Sequence, residues 1–291
     1  MTTYHVFGDT GGHHKQLKAG LEAIGLNPKT FKLPEDVIVI HCGDLIHKGP
    51  LSEAVMLLVD KIMDVNPGQW IQLLGNHEFQ YLDGAPFFWG AVIPADAQRI
   101  LASWLEKRRV RVAYAIEGPV QFHDLTLSAR PFETPDKPVL FTHAGLAKPF
   151  WEQRLKSSTN IVEIVNAINA LPIKQVTAPG SMLYGEPAGG APWKPVGPVW
   201  ALSTDEVWGS WKDTPDMPFM QVHGHVAPFS YSRNSWWPTT PNEYRRNAKI
   251  NAERCTTVVR LANSIQVAVD PGYSKQATNA VQPALKITTN D

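Results

Sequence analysis

Trp70-Ile71-Gln72-Leu73-Leu74-Gly75-Asn76-His77-Glu78 is a short apolar run that stops at a glycine, followed at once by an amide, an imidazole and a carboxylate. A run of that length ending in Gly-Asn reads as a buried strand that stops at a turn. Upstream the same pattern occurs twice, at Gly8-Asp9 after Tyr4 to Phe7 and at Gly43-Asp44 after Val37 to Ile40. Downstream, Val139 to Phe141 precedes Thr142-His143, and Gly224-His225 follows later. Open α/β sheets bind ligands at the carboxyl ends of their strands. Carboxylate, amide and imidazole groups are therefore expected to converge on one crevice. That mixture suits a site for two hard or borderline divalent metals.

Around these sites, residues 1 to about 145 alternate strand and helix. Leu17, Leu21 and Ile24 give His13 to Ile24 an apolar stripe at helical spacing. Ser52 to Val65 repeats it, with Ser52 as an N-cap and Pro67-Gly68 as the stop. Asp96 to Arg108 is a further helix candidate. Val110 to Ile116 and Val120 to Leu127 flank Glu117-Gly118-Pro119 and read as antiparallel strands. Ile161 to Leu171 is amphipathic. Residues 173 to about 200 are rich in Pro and Gly, and a loop of that length is usually functional or disordered. Thr256 to Leu261 and Ile265 to Val269 pair across Ala262-Asn263-Ser264 as a hairpin. The ordered sites run from Asp9 to His225 and span both halves. The expectation is one domain over residues 1–291, with a Pro/Gly- and Trp-rich insert at about 173–245.

Bulk composition narrows the class. Hydrophobic content of 43% supports a substantial core, and 27 basic residues balance 27 acidic ones. No basic field announces nucleic acid, because binding a phosphate backbone needs a basic surface. Cys42 and Cys255 are too few for a disulfide framework and suit a reducing compartment. No charged-then-apolar leader is present, and no apolar run approaches ~18 residues. A cytoplasmic protein with no membrane partner is expected.

Singly, each site has an ordinary explanation. Gly-Asp after a strand is commonly a turn, a lone buried His is commonly a core residue, and Asn76-His77-Glu78 could be a capped helix start. Together and in this order they exceed what turn chemistry requires, since turns do not call for His at strand ends.

The stretches Gly8-Asp9-Thr10-Gly11-Gly12, Gly43-Asp44-Leu45-Ile46-His47-Lys48-Gly49-Pro50, Leu74-Gly75-Asn76-His77-Glu78, Thr142-His143-Ala144-Gly145-Leu146 and Gly224-His225 carry a resemblance. With them the chain resembles the calcineurin-like metallophosphoesterases, nearest the branch of Ser/Thr phosphoprotein phosphatases and symmetrical diadenosine tetraphosphatases. Val267 to Gly272 looks like that branch's closing strand. The resemblance implies an α/β fold in four layers, a central mixed β-sandwich flanked by helices. It implies two divalent ions, manganese first, with iron, zinc, magnesium or nickel as alternatives. Asp44 would bridge them; Asn76, His143 and His225 would complete one, and Asp9 would bind the other. A bridging hydroxide would attack phosphorus, His77 would protonate the leaving oxygen, and Lys48 would grip the phosphate. The substrate class is a phosphomonoester on a phosphoprotein or small molecule. The alternatives are a dinucleoside polyphosphate, or a degenerate protein that binds phosphate without turnover.

Four departures qualify the resemblance. Gly11 stands where the family carries a metal-binding His, so His13 is the candidate replacement ligand, with Gly11-Gly12 supplying backbone freedom. Lys48 replaces an Arg and lacks its bidentate fork. His47 replaces an Asp that orients the acid His. Ala227 follows His225 where a further His is common, leaving His223 as a possible substitute or supporting group. Six of ten Trp residues (193, 200, 208, 211, 236 and 237) fall between 190 and 240. They could pack the insert or wall the crevice, with Trp236-Trp237-Pro238 the best exposed pair, and Arg233, Arg245 and Arg246 could reach a phosphate.

Overall fold

Runs rich in Val, Ile, Thr and aromatic residues suit a pleated, half-buried surface, and here they assemble into two six-stranded sheets. The computed structural model describes residues 1–82, 85, 90–123, 125, 134–170, 197–238, 240–277 and 279–289. The first sheet holds β1 (Thr3–Phe7), β2 (Val37–His41), β3 (Trp70–Leu73), β4 (Val110–Arg111), β6 (Val120–Phe122) and β14 (Leu285–Thr289), in the order β4-β3-β2-β1-β14-β6. The second holds β5 (Ala113–Ile116), β7 (Val139–Thr142), β8 (Met220–His223), β11 (Ala248–Asn251), β12 (Thr256–Leu261) and β13 (Ser264–Ala268), in the order β11-β12-β13-β8-β7-β5. A small ribbon pairs β9 (Phe229–Ser230) with β10 (Ser235–Trp236).

Both sheets are mixed. Strands β1 to β4 run parallel, as do β7, β8 and β13, while β14 and β5 pair antiparallel with their neighbours. Alternation along each strand then sets the layers. Val6, Ile40 and Leu73 share a core with Phe141, Val222 and Val267 between the sheets. Their neighbours Phe7, Val39 and Trp70 turn outward onto Leu17 of α1 (His14–Ala23), Val59 of α2 (Ser52–Val65) and Trp104, which lies beyond α3 (Asn76–Phe79) in α4 (Ala95–Glu106). On the far side, Leu140 and Val259 pack against Phe150 of α5 (Lys148–Arg154), Ile164 of α6 (Ile161–Asn169) and Trp208 at the end of a π-helical segment, Ser203–Trp208. Fully burying such a side chain stabilises the fold by roughly 1.5–3 kcal/mol. The order is helix, sheet, sheet, helix, the four-layer α/β arrangement that the resemblance implies. No described helix is long and apolar enough to cross a membrane.

The elements differ from expectation in particular places. Residues 110–116 and 120–122 do not pair with each other. β5 joins β7 in the second sheet, β6 joins β14 in the first, and the Glu117-Gly118-Pro119 turn carries the chain between sheets. Residues 124 and 126–127 of the expected strand lie outside the described residues. Ser52 does not cap α2; its Oγ accepts the His47 N–H at 2.9 Å, fixing the loop before the helix. The 256–269 hairpin forms with Leu261 opposite Ser264. Most of the 173–200 segment, Trp193 included, lies outside the described residues.

Candidate metal centre

The strands β1, β2, β3, β7 and β8 end on one edge, and the site residues follow those ends. His41 ties the first two loops together. Gln282 Nε2 donates to the Gly8 carbonyl at 3.0 Å, which leaves its Oε1 to accept the Thr10 hydroxyl at 2.9 Å. Thr10 Oγ1 therefore accepts from His41 Nε2 at 2.8 Å, and His41 Nδ1 accepts the Gly43 N–H at 3.2 Å. The ring is wholly buried, and burial lowers its pKa to about 3 although Asp9 pulls the other way.

Glu78 holds the third loop to the second. Its Oε2 accepts the Gly75 N–H at 3.1 Å, closing the start of α3. The same carboxylate accepts Asp44 N–H at 2.7 Å and Leu45 N–H at 2.8 Å. The capped helix start and the turn that carries Asn76 are thus one feature. Asp44, His47, Lys48 and His225 all sit at left-handed φ, between 54° and 67°. Non-glycine residues rarely adopt that region, and such strain gathers where side chains must be aimed.

Four groups converge at these strand ends. Among the described residues, ligand atoms of Asp44, His143 and His225 lie within 4.8 Å of one another. His143 Nδ1 donates to the Cys42 carbonyl at 2.7 Å, which leaves Nε2 as a bare acceptor, 3.4 Å from Asp44 Oδ1. The Asn76 amide oxygen points at the same spot. It lies 3.1 Å from both Asp44 oxygens, 3.1 Å from His143 Nε2 and 3.2 Å from His225 Nδ1. An oxygen facing only acceptors has two resolutions: the amide turns its NH2 inward, or a cation sits among the lone pairs. His143 Nε2 can accept from that NH2 or face a cation, and the donor set of carboxylate, amide and two imidazoles fits one divalent ion. Burial raises Asp44 to about 6, reinforced by the charge of Asp9 and opposed by His143 and Lys48. Burial and then His143 hold His225 well below its ordinary value.

The other expected ligands are placed differently. Asp9 is buried, with Oδ1 accepting the His225 N–H at 2.9 Å and Oδ2 accepting from Lys48 Nζ at 3.0 Å. Burial would raise its carboxyl, but Lys48 first, then His143, hold it below the carboxylate range. Lys48 Nζ also lies 3.6 Å from Asp44 Oδ2. Against burial, Asp9, Asp44 and Asp270 raise the ammonium above its ordinary value. His13 Nε2 lies 2.8 Å from the Ser274 carbonyl, and its ring stands edge-on to Tyr273. The structure does not bring His13 to the Asp44 cluster. Nor does His223 join it. β8 ends at His223 and His225 turns to φ 67°, so the alternation that would put both on one face does not carry through.

His77 stands beside Asp44, its Nε2 3.7 Å from Asp44 Oδ2 and its N–H donating to Asp44 Oδ1 at 3.0 Å. Its Nδ1 meets His47 Nδ1 at 2.7 Å. Gln80 resolves which nitrogen donates. Its Nε2 donates to the His77 carbonyl and to His47 Nδ1, both at 3.1 Å, so His47 Nδ1 is the acceptor. His77 therefore carries its proton on Nδ1, and its unprotonated Nε2 lies toward Asp44. Burial and then Lys48 lower its pKa to about 3, while burial and His77 lower His47 to about 4.

Gln80 and Asp270 were not singled out from sequence, and Glu78 was read there as part of the strand-end motif or of a capped helix start. Glu78 is three residues past Gly75, the spacing of a capping box, and that signal conceals its grip on the Asp44 loop. The aromatics divide. Trp208 and Trp211 are core, Trp200 packs edge-on to His225 at 6.3 Å, and Trp237 is exposed with Arg233 over its ring at 5.5 Å. Arg245 donates to the carbonyls of Thr240, Trp237 and Pro238, so it holds that loop.

The profile of the calcineurin-like phosphoesterases matches residues 2–252. No curated protein matches the chain. Among solved structures, a cold-active protein-tyrosine phosphatase of a psychrophilic Shewanella species is 15% identical, with a TM-score of 0.51 over 94% of this chain and 72% of that one. A candidate diadenosine tetraphosphatase is 16% identical, with a TM-score of 0.42 over 92% and 83%. A protein serine/threonine phosphatase from Saccharomyces cerevisiae is 15% identical, with a TM-score of 0.42 over 94% and 68%. The first of these likenesses speaks to the fold alone.

Proposed function

The chain belongs to the calcineurin-like phosphoesterase family, and from that premise we propose that it hydrolyses a phosphomonoester with the help of a divalent ion, manganese being the first to test. The observation that carries the reading is the convergence of Asp44, His143 and His225, whose ligand atoms lie within 4.8 Å of one another, with the Asn76 amide 3.1–3.2 Å from all three. An ion held by these four groups supplies Lewis acidity for a phosphoryl oxygen and lowers the pKa of a water. Lys48 presents an ammonium at the edge of the cluster, where it can receive a second phosphoryl oxygen. A cleft of about 380 Å3 opens from His47 and Lys48 and is bounded by Pro50, Leu51, Ala91 and Pro94, giving a leaving group room.

His77 is the candidate proton donor to the leaving oxygen. Its unprotonated Nε2 must first take up a proton, and an incoming phosphate dianion favours that by placing negative charge beside the ring. Asp9 keeps Lys48 charged and in place. The resemblance implies two ions, and the Asp44, His143 and His225 cluster supplies ligands for one of them.

The test is phenolate release from p-nitrophenyl phosphate by the purified chain, with manganese, with chelator, and with an Asp44→Asn control. Manganese-dependent release that vanishes in the control supports the reading. Release in the control equal to wild type, or none with any divalent ion, overturns it. Running phosphopeptides and a dinucleoside polyphosphate in parallel ranks the substrate classes.

A further inference from the structure

Asp9 and Asp44 face each other as two buried carboxylates. A second metal would need to lie between them, but that space holds the Lys48 ammonium, 3.0 Å from Asp9 Oδ2 and 3.6 Å from Asp44 Oδ2. The placement is built. Lys48 takes φ 54° directly after His47 at φ 67°, which turns its side chain inward. Its stem lies along Gly11, where a Cβ would come within 3.1 Å of Lys48 Cδ and 3.2 Å of Lys48 Cβ. A side chain at position 11 and this lysine therefore compete for one space. Gly11 stands where the sequence pattern leads one to look for an imidazole, and His13, the nearest replacement, is engaged with Ser274 and pressed close to Gly49.

The geometry points to a substitution of cations: the Lys48 ammonium stands permanently in the place of a second metal, and the centre works with one divalent ion. The inference rests on the phosphoesterase reading for its first ion, but it makes a separate claim about number.

The test is the manganese content of the metal-stripped protein re-equilibrated with millimolar Mn2+ alone, read by elemental analysis and by electron paramagnetic resonance. Wild type is expected to hold one ion per chain, with the six-line spectrum of an isolated Mn2+. Lys48→Met exposes Asp9 and Asp44 to each other and is expected to take up a second ion and show an exchange-coupled spectrum. Two ions in wild type would overturn the substitution and leave the phosphoesterase reading standing. No ion in wild type would overturn both. A folded Lys48→Met protein that stays at one ion would also overturn it. Should that variant fail to fold, the wild-type count and spectrum decide alone.

Discussion

Acidification should loosen the site through His41, well before general acid unfolding. The neutral ring accepts the Gly43 N–H and donates to Thr10, so one imidazole holds the loops of both Asp9 and Asp44. Burial lowers its folded pKa to about 3 from an ordinary 6.5. A histidine whose pKa falls on folding contributes stability that is complete above 6.5 and is lost as pH drops toward 3. At pH 5 the unfolded ring has gained its proton over about 1.5 pH units and the folded ring has not, a loss of about 2 kcal/mol. Other groups titrate in the same window, so the readout is a difference. Urea unfolding of wild type and His41→Gln at pH 7.5 and pH 5 isolates the imidazole. The wild-type advantage should shrink by about 2 kcal/mol between the two conditions. An advantage that stays constant would refute the neutral, buried His41 and the tautomer argument built on Thr10 and Gln282.

Three further outcomes follow from the geometry. Gly75→Ala would set a Cβ 2.2 Å from both the nitrogen and Oδ1 of Asp44, so it should abolish metal binding and destabilise the fold, read by calorimetry with and without manganese. His77→Asn should lower kcat by roughly 10²–10⁴-fold, the usual range for a general acid, with manganese content unchanged; loss of metal would show that His77 is a ligand instead. His13→Ala should leave manganese content unchanged, because its Nε2 is engaged with Ser274, whereas a drop would return His13 to the centre.

Asp9, Asp44 and Asn76 were legible because each is a local statement, an apolar run, a glycine, then a polar group; His143 follows a run that ends in Thr142, and His225 follows Gly224. Asp44, Asn76, His143 and His225 meet in space, and the four-layer arrangement follows from the family that the pattern resembles. Sheet membership was not legible at residues 110–122, since β5 and β6 look like a hairpin locally and only their partners β7 and β14 separate them. The absence of an imidazole at Gly11 could be read, but not its consequence. Lys48 reaches the gap only through consecutive left-handed residues, a backbone state that no side-chain pattern announces. Gln80 was hidden for a similar reason: its effect is on a tautomer, and tautomers depend on which acceptors lie within 3.1 Å.

The most direct measurement of the central claim is anomalous diffraction from crystals equilibrated with manganese. The account predicts one anomalous peak per chain, enclosed by Asp44, Asn76, His143 and His225, with the Asn76 oxygen turned toward it. Anomalous density elsewhere with none among these four residues, or an Asn76 amide with its NH2 inward at full manganese occupancy, would contradict it.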